Sequence, residues 1–291
     1  MRHKILAIPV GVGVISLAMA GVAIAVSTPE AGPAEAVIPS TITVGTTNNE
    51  AGYNVRFIAG VTQASLDWVV PTIAPTIGAS AVDELVGFDG FTNARNLQVG
   101  ITESSVNNVT TIQGFVDENS AGAGEIETPV INDNAGTPMV IAPGDLVDAS
   151  ITDTTPEVAA GFPGTFTVNL TDFSTVPVEV ASENIIYEGF RTSASYVLAQ
   201  QVVGGSSLIP LANFGDVVFD GGTLNTTNAF FSSGSEQFNL KLHGVITAQA
   251  GLPDDDNNGF TIFQPCNSQG AVANSTAEFK CGLPKLKNPK K

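Results

Sequence analysis

The segment Thr165-Phe-Thr-Val-Asn-Leu-Thr171 alternates large apolar side chains with threonine and asparagine. A period of two places the apolar side chains on one face of a β-strand and the polar side chains on the other. Strands of this kind bury one face against a core and leave the other in water, as in antiparallel sheets. The segment therefore predicts a half-buried strand.

The same alternation recurs along the chain. It predicts further strands at Tyr53–Phe57, Leu97–Ile101, Val176–Val180 and Phe238–Leu242. Thirty glycines and seventeen prolines interrupt the sequence, and both residues are common in the turns between strands. We therefore expect an all-β protein, an antiparallel β-sandwich or a jelly-roll-like body.

Two segments indicate short helices beside the sheets. Ser80-Ala-Val-Asp83 has the form of a capping box, and Gly87 would end that helix after a few residues. The segment Thr62–Val70, which Pro71 would end, is the second. Neither is long enough to organise the fold.

The amino terminus has the pattern of a secretory signal. Basic residues 2–4 precede an uncharged, mostly apolar run, Ile5–Val26, which contains the cleavage signatures Ala18–Ala20 and Ala23–Ala25. We predict a removed signal peptide at residues 1–25 and a secreted or cell-surface protein. The apolar run is also long enough to span a bilayer, so a retained anchor is the alternative.

Composition predicts three regions after the leader. Residues 26–40 form a linker rich in proline and alanine, residues 41–265 form the β-sandwich body, and residues 266–291 hold a cysteine loop and a basic tail. The most loop-like interior segment, residues 118–136, is where an internal boundary would lie.

The two cysteines, Cys266 and Cys281, predict one disulfide. An even cysteine count in an exported chain usually means a bridge. This one would close a short loop and stabilise the chain by roughly 3 kcal/mol in the loop-entropy model. Two free thiols are the alternative.

The formal net charge is −17, and lysines crowd the last residues of the chain. Because phosphate binding needs clustered basic side chains, we expect no nucleic-acid partner. Anionic membrane surfaces are also disfavoured, so we expect no membrane contact if the leader is cleaved. The acidity would keep an exported protein soluble, or it would bind the basic tail of a second subunit.

Motifs for catalysis are scarce. The chain after the leader has one histidine, His243, which the pattern places with Lys241 on the outward face of a strand. No Gly-x-Ser-x-Gly segment occurs, so a Ser-His-Asp triad is not expected, nor is a zinc site with several histidines. Carboxylate pairs stay open, since the chain has 28 acidic residues.

One local motif resembles the start of a calcium loop. The segment Gly251–Phe260 contains alternating oxygen-bearing side chains followed by a glycine, as in D-x-[DN]-x-[DN]-G. Pro265 stands where an EF-hand has its bidentate glutamate. We predict a calcium site, and an acidic hairpin turn is the alternative. The predicted metal ligands are Asp254, Asp256, Asn258 and Phe260.

Four sequons for N-glycosylation occur, at Asn108, Asn169, Asn225 and Asn274. The composition alone accounts for this number, so they decide nothing about function.

Export, β-structure and the lack of catalytic motifs favour a non-catalytic protein. We expect a self-associating, structural or cell-surface subunit of a surface layer, filament or coat. A secreted, calcium-dependent binding module for carbohydrate or protein is the first alternative. A hydrolase that works through carboxylates is the second.

Overall fold

A computed structural model describes residues 43–265, except 57–59, 92, 120–125, 129–131, 134–135, 204–206, 230 and 232–234. These residues belong to one compact unit, Ser40–Lys291. The predicted signal peptide, the linker, the Cys266–Cys281 bridge and the basic tail lie outside the described residues. The described ranges contain no apolar helix of membrane-spanning length.

The described chain is all-β, as the alternating segments predict. Its strands are β1 (Thr43–Thr47), β2 (Glu50–Arg56), β3 (Gln63–Val69), β4 (Ala79–Asp89), β5 (Asn96–Val106), β6 (Val109–Asn119), β7 (Ile126–Thr128), β8 (Leu146–Asp153), β9 (Gly164–Asp172), β10 (Glu179–Tyr187), β11 (Ser193–Ala199), β12 (Val202–Val203), β13 (Ser207–Leu208), β14 (Asp216–Leu224), β15 (Thr227–Asn228), β16 (Ser235–Leu242), β17 (Val245–Pro253) and β18 (Phe260–Phe263).

Sixteen of these strands form one sheet. Its order is β10-β9-β8-β3-β14-β18-β17-β16-β2-β11-β4-β5-β6-β7, with β1 beside β16 and β15 beside β14. Neighbours are antiparallel except for β1, which runs parallel to β16. A twisted sheet of more than about ten strands has to curl or split into packed layers.

The sheet curls so that its two halves face each other across the core. Strand β5 packs against β8 and β9, which are not its neighbours in the sheet. Phe88 of β4 meets Phe166 of β9 in a T-shaped contact with ring centroids 5.8 Å apart. The alternating residues Phe166, Val168 and Leu170 are all buried, as the opening segment predicts.

Both predicted helices are wrong. The segment around Ser80–Gly87 lies in strand β4, and Thr62–Val70 contains strand β3. Strand β4 is buried on both faces from Ser80 to Asp89, which removes the alternation that marks a half-buried strand. In β3, the burial pattern does alternate, since Ala64, Leu66 and Trp68 are buried. Tertiary packing overrides the weak capping signal at Ser80–Asp83, and the period-two pattern of β3 outweighs the helix expected before Pro71.

Two smaller predictions also differ from the structure. Strand β10 begins only at Glu179, and Val176 is 98% exposed in the turn before it. His243 is not on a strand: it lies in the turn between β16 and β17 with φ of 48°. Tight turns accept such left-handed residues where strands do not.

The core contains two carboxylic acids that have no obvious counter-group. Glu84 of β4 and Glu103 of β5 are fully buried on the core face. None of their carboxyl oxygens has a hydrogen-bond partner elsewhere in the described residues. Burial raises the pKa of Glu103 to about 8. Burial, followed by the nearby Glu103 and Asp83 carboxylates, raises the pKa of Glu84 well above its ordinary value.

Stability should therefore fall as the pH rises. The unfolded chain loses the Glu103 proton near its ordinary pKa of 4.5, whereas the folded chain keeps it until about pH 8. We expect the free energy of unfolding to decline across this window, by on the order of a few kcal/mol, and then to level off. Urea unfolding at a series of pH values measures it.

The variant Glu103→Gln tests the cause of this decline. It cannot ionise, so its stability should depend less on pH than that of the wild type. Glu183→Gln, on strand β10, is the matched control and should keep the wild-type slope. Equal slopes for all three proteins would contradict the assignment.

Candidate functional site

The second face of the sheet carries a small apolar cluster of its own. Strands β2, β11, β4, β5 and β6 are neighbours in this order. The cluster is separate from the main core and all its members are buried. They are Leu85, Phe115, Val197 and Ala199. Gly52 on β2 pairs with Val197, and Gly100 on β5 pairs with Phe115. Because glycine has no side chain, these two positions add no bulk beside the cluster.

A cavity of about 140 Å³ lies on this face, and we call it the cleft. Its lining includes the carboxyl groups of Glu50, Asp83 and Asp117 and the side-chain amides of Gln98 and Gln200. The apolar cluster contributes part of the floor. The cleft thus combines groups that can move protons with groups that can hold a polar ligand.

Two of the carboxyl groups flank a small side chain. Glu50 on β2 lies opposite Ala199 on β11, and Ala199 lies opposite Asp83 on β4. Side chains directly opposite one another in a sheet are about 5 Å apart at Cβ. The methyl group of Ala199 therefore leaves open space between the two carboxyl groups.

Both aspartates of the cleft are held by side chains on strand β5. The Thr102 hydroxyl donates to Asp83 Oδ1 at 2.7 Å. The Asn96 amide donates to Asp117 Oδ2 at 2.9 Å. These hydrogen bonds fix the direction of each carboxylate, which is what a preorganised site requires.

Glu50 has a different environment. It is partly buried at the start of β2, where its backbone N–H donates to the Thr47 hydroxyl at 2.8 Å. Burial raises the pKa of its carboxyl group above the ordinary value of 4.5. Glu50 therefore keeps its proton to a higher pH than an exposed glutamate does.

Gln98 reaches into the cleft because of the glycine beside it. Gln98 lies opposite Gly87 on β4 and opposite Asp117 on β6. A Cβ atom on residue 87 would lie 2.9 Å from Gln98 Cγ, which is too close. In the described part of the chain, the Gln98 amide makes no hydrogen bond, so both its ends can contact a ligand.

The strands that carry this cleft match a known protein family. The model described as the Peptidase A4 family matches residues 48–257, more than two thirds of the chain. The chain belongs to the peptidase A4 family. The matched range includes every strand that lines the cleft of this A4 chain.

Solved structures of similar fold are peptidases. Scytalido-glutamic peptidase, crystallised with a peptide-based transition state analog, matches with a TM-score of 0.56 and 16% identity over 75% of the A4 chain and 99% of its own. SCP-B, a member of the eqolisin family in complex with the tripeptide Ala-Ile-His, matches with a TM-score of 0.53 at the same identity and coverage. At this identity the matches show a shared fold. The comparison with curated proteins gives no match.

Family membership corrects the function expected from the sequence. A non-catalytic structural subunit of a surface layer, filament or coat is wrong, and so is the expectation that the protein is not an enzyme, because the A4 family is a family of peptidases. A hydrolase, the second alternative, is the class to which peptidases belong. Calcium binding and self-association stay predictions.

The predicted calcium residues form a tight turn between β17 and β18 of the A4 chain. Asp254 Oδ1 accepts a hydrogen bond from the Asn258 N–H at 3.1 Å, and the Asp254 N–H donates to the Gly259 carbonyl at 3.0 Å. Phe260 begins β18. In the described ranges, no group of three or more acidic, histidine or cysteine side chains is arranged to hold a metal ion.

The same turn brings two carboxyl groups together. A hydrogen bond to Asp254, followed by a small effect of burial and the repulsion of the Asp254 carboxylate, raises the pKa of Asp256. A divalent cation would relieve this repulsion. The turn lies on a different part of the sheet from the cleft, so it is no part of the candidate active site.

Sequence reasoning missed the polar residues of the cleft, among them Glu50, Asp83, Gln98, Asp117 and Gln200. They come from β2, β4, β5, β6 and the end of β11, which are far apart in the chain. The signal that could have found them is an acidic residue inside a strand of otherwise apolar character, such as Asp83.

The calcium prediction is tested by titration calorimetry. If the turn binds calcium, the purified protein should show binding heat at millimolar calcium, and a double change, Asp254→Asn with Asp256→Asn, should abolish it. Asp216→Asn, an exposed aspartate on β14, is the control. No heat from the wild type would leave the turn as a purely structural one.

Proposed function

We propose that the protein is a peptidase that hydrolyses peptide bonds in acidic solution within the cleft. The observation that carries the proposal is the arrangement of Glu50 and Asp83 on either side of Ala199, with the unbonded amide of Gln98 lining the same cavity. Membership in the peptidase A4 family supports the reaction class.

Peptide hydrolysis needs three groups that the cleft contains. A base removes a proton from the attacking water, an acid protonates the departing amine, and a donor stabilises the oxyanion. Asp83, oriented by the Thr102 hydroxyl, is suited to accept the water proton. Burial raises the pKa of Glu50, so its carboxyl group is suited to donate a proton. The Gln98 amide N–H groups are suited to the oxyanion.

The proton balance of this reaction closes within the cleft. The water oxygen bonds to the carbonyl carbon while its proton moves to Asp83. The carbon–nitrogen bond then breaks, and the proton of Glu50 moves to the amine. The two carboxyl groups finish with exchanged protonation states, and exchange with solvent restores them. Two carboxyl groups in different environments are a common solution for acid–base work at one pH.

The proposal includes a location outside the cytoplasm. The leader pattern at residues 1–25 predicts export, and membership in this peptidase family is compatible with secretion. An acidic external medium would keep Glu50 protonated, which the proposed reaction requires.

Removal of either carboxyl group should abolish most of the activity. We expect Glu50→Gln and Asp83→Asn each to lower kcat/KM by on the order of 100-fold or more, since general acid and base catalysis contribute this much. The measurement uses quenched fluorescent peptides across acidic pH, with product masses determined. Wild-type activity should fall as the pH rises above the pKa of Glu50.

Glu183→Gln is the control for these two variants, because Glu183 lies on β10 at the other end of the sheet. It should keep wild-type kcat/KM. Folded wild-type protein that cleaves no peptide at any acidic pH would refute the proposed function. Full activity in both cleft variants would refute the assigned residues.

The position of Gln98 can be tested without changing Gln98 itself. In Gly87→Ala, the new methyl group displaces the Gln98 side chain, and a displacement of about 1 Å in a catalytic group can cost roughly 100-fold in rate. We expect a large fall in kcat and a small change in Tm. Gly78→Ala is the matched control, since a Cβ there meets no atom within 4 Å. Equal kcat values for the two variants would contradict this role.

A further inference from the structure

The walls of the cleft are rich in hydrogen-bond acceptors. Three carboxyl groups line it, and none of the described residues that line it is lysine, arginine or histidine. Arg56 on β2 forms an ion pair with Glu236 at 2.7 Å, and Arg95, which precedes Asn96 of the lining, donates to the Glu188 carbonyl. A ligand in the cleft therefore meets carboxyl groups and no basic side chain among the described lining residues.

Three of the donors on these walls are engaged within the protein. The Thr102 hydroxyl donates to Asp83, and the Asn96 amide donates to Asp117. The amide nitrogen of Gln200 donates to the Ile209 carbonyl at 2.6 Å. Besides the Gln98 amide, the walls offer a ligand the acceptor oxygens of three carboxyl groups.

Gln200 supplies an independent sign of a ligand-binding position. It is only 4% exposed, and its backbone N–H donates to the Asn49 carbonyl at 2.7 Å. A carbonyl can only accept, so the Ile209 carbonyl fixes which end of the Gln200 amide is nitrogen. The remaining oxygen, Oε1, is buried with no partner in the described residues. A buried acceptor without a donor is costly and marks a place for one.

Asp117 is placed to contact the residue beside the reacting bond. It is 3% exposed and lies directly opposite Gln98, whose amide would bind the carbonyl of that bond. Side chains opposite each other are within about 5 Å at Cβ. A long cationic side chain next to the scissile bond can reach Asp117.

We propose that the cleft selects peptides with a lysine or arginine side chain next to the scissile bond, with Asp117 balancing the charge and Gln200 Oε1 accepting a peptide N–H. This inference rests on the proposed function, and it names the substrate class of the same site. The acidic body, with a net charge of −17, would also attract such peptides from a distance.

The test uses fluorogenic peptides that differ only beside the cleavable bond, on one side and then the other. The residue there is lysine, its neutral analogue norleucine, or glutamate. We expect kcat/KM to be at least about tenfold higher for lysine than for norleucine, and lowest for glutamate. The ratio should shrink as salt is added, because salt screens charge.

Two variants separate the contributions of the cleft residues. Asp117→Asn should bring the lysine-to-norleucine ratio close to one. Gln200→Leu should raise KM for all the peptides and leave the ratio unchanged. Asp216→Asn, an exposed aspartate on β14, is the control and should keep the wild-type ratio. Tm measurements identify any variant that fails to fold.

Equal rates for lysine and norleucine peptides, or an unchanged ratio in Asp117→Asn, would overturn the inference. If the wild type cleaves none of the peptides, the proposed function fails, and the same peptides then serve as ligands in fluorescence anisotropy titrations. Tighter binding of the lysine peptide would support the selectivity by itself, and equal Kd values would overturn it.

Discussion

The T-shaped contact between Phe88 and Phe166 joins two layers of a sheet that is continuous from β10 to β7. Closing the sheet upon itself buries the face of β4 that carries Phe88. The opposite face of β4 is buried as well, under the small cluster around Leu85. The cleft forms where the side chains on this opposite face cover it only in part. Its polar groups therefore sit on strands that the main core has already made rigid, which is where a site keeps its geometry.

Alternating sequence predicted those strands that bury a single face, such as β9 and β5. It failed for β4, because a strand buried on both faces has no polar side to alternate with. It failed at Val176, since a turn can expose a valine without breaking the local pattern. Hydrophobic periodicity reports on burial, so it predicts a strand most directly where one face of the strand is buried.

The cleft was out of reach of motif reasoning for a different reason. Serine, cysteine and metal sites often have short signatures, because their residues share a turn or a helix. Here Glu50, Asp83 and Asp117 come from three strands, and only the strand order brings them together. The sequence therefore contains no short catalytic motif at these residues, and this lack favoured the prediction of a structural protein. The family comparison supplied what a single sequence could not.

Glu84 and Glu103 give the fold a property that a purely apolar core would lack. Each holds a proton inside the sandwich more tightly than the unfolded chain would. In thermodynamic terms, the proton is a ligand of the native state, and its free concentration sets how much of that state is present. The protons that these two side chains take from an acidic medium are thus bound components of the native fold.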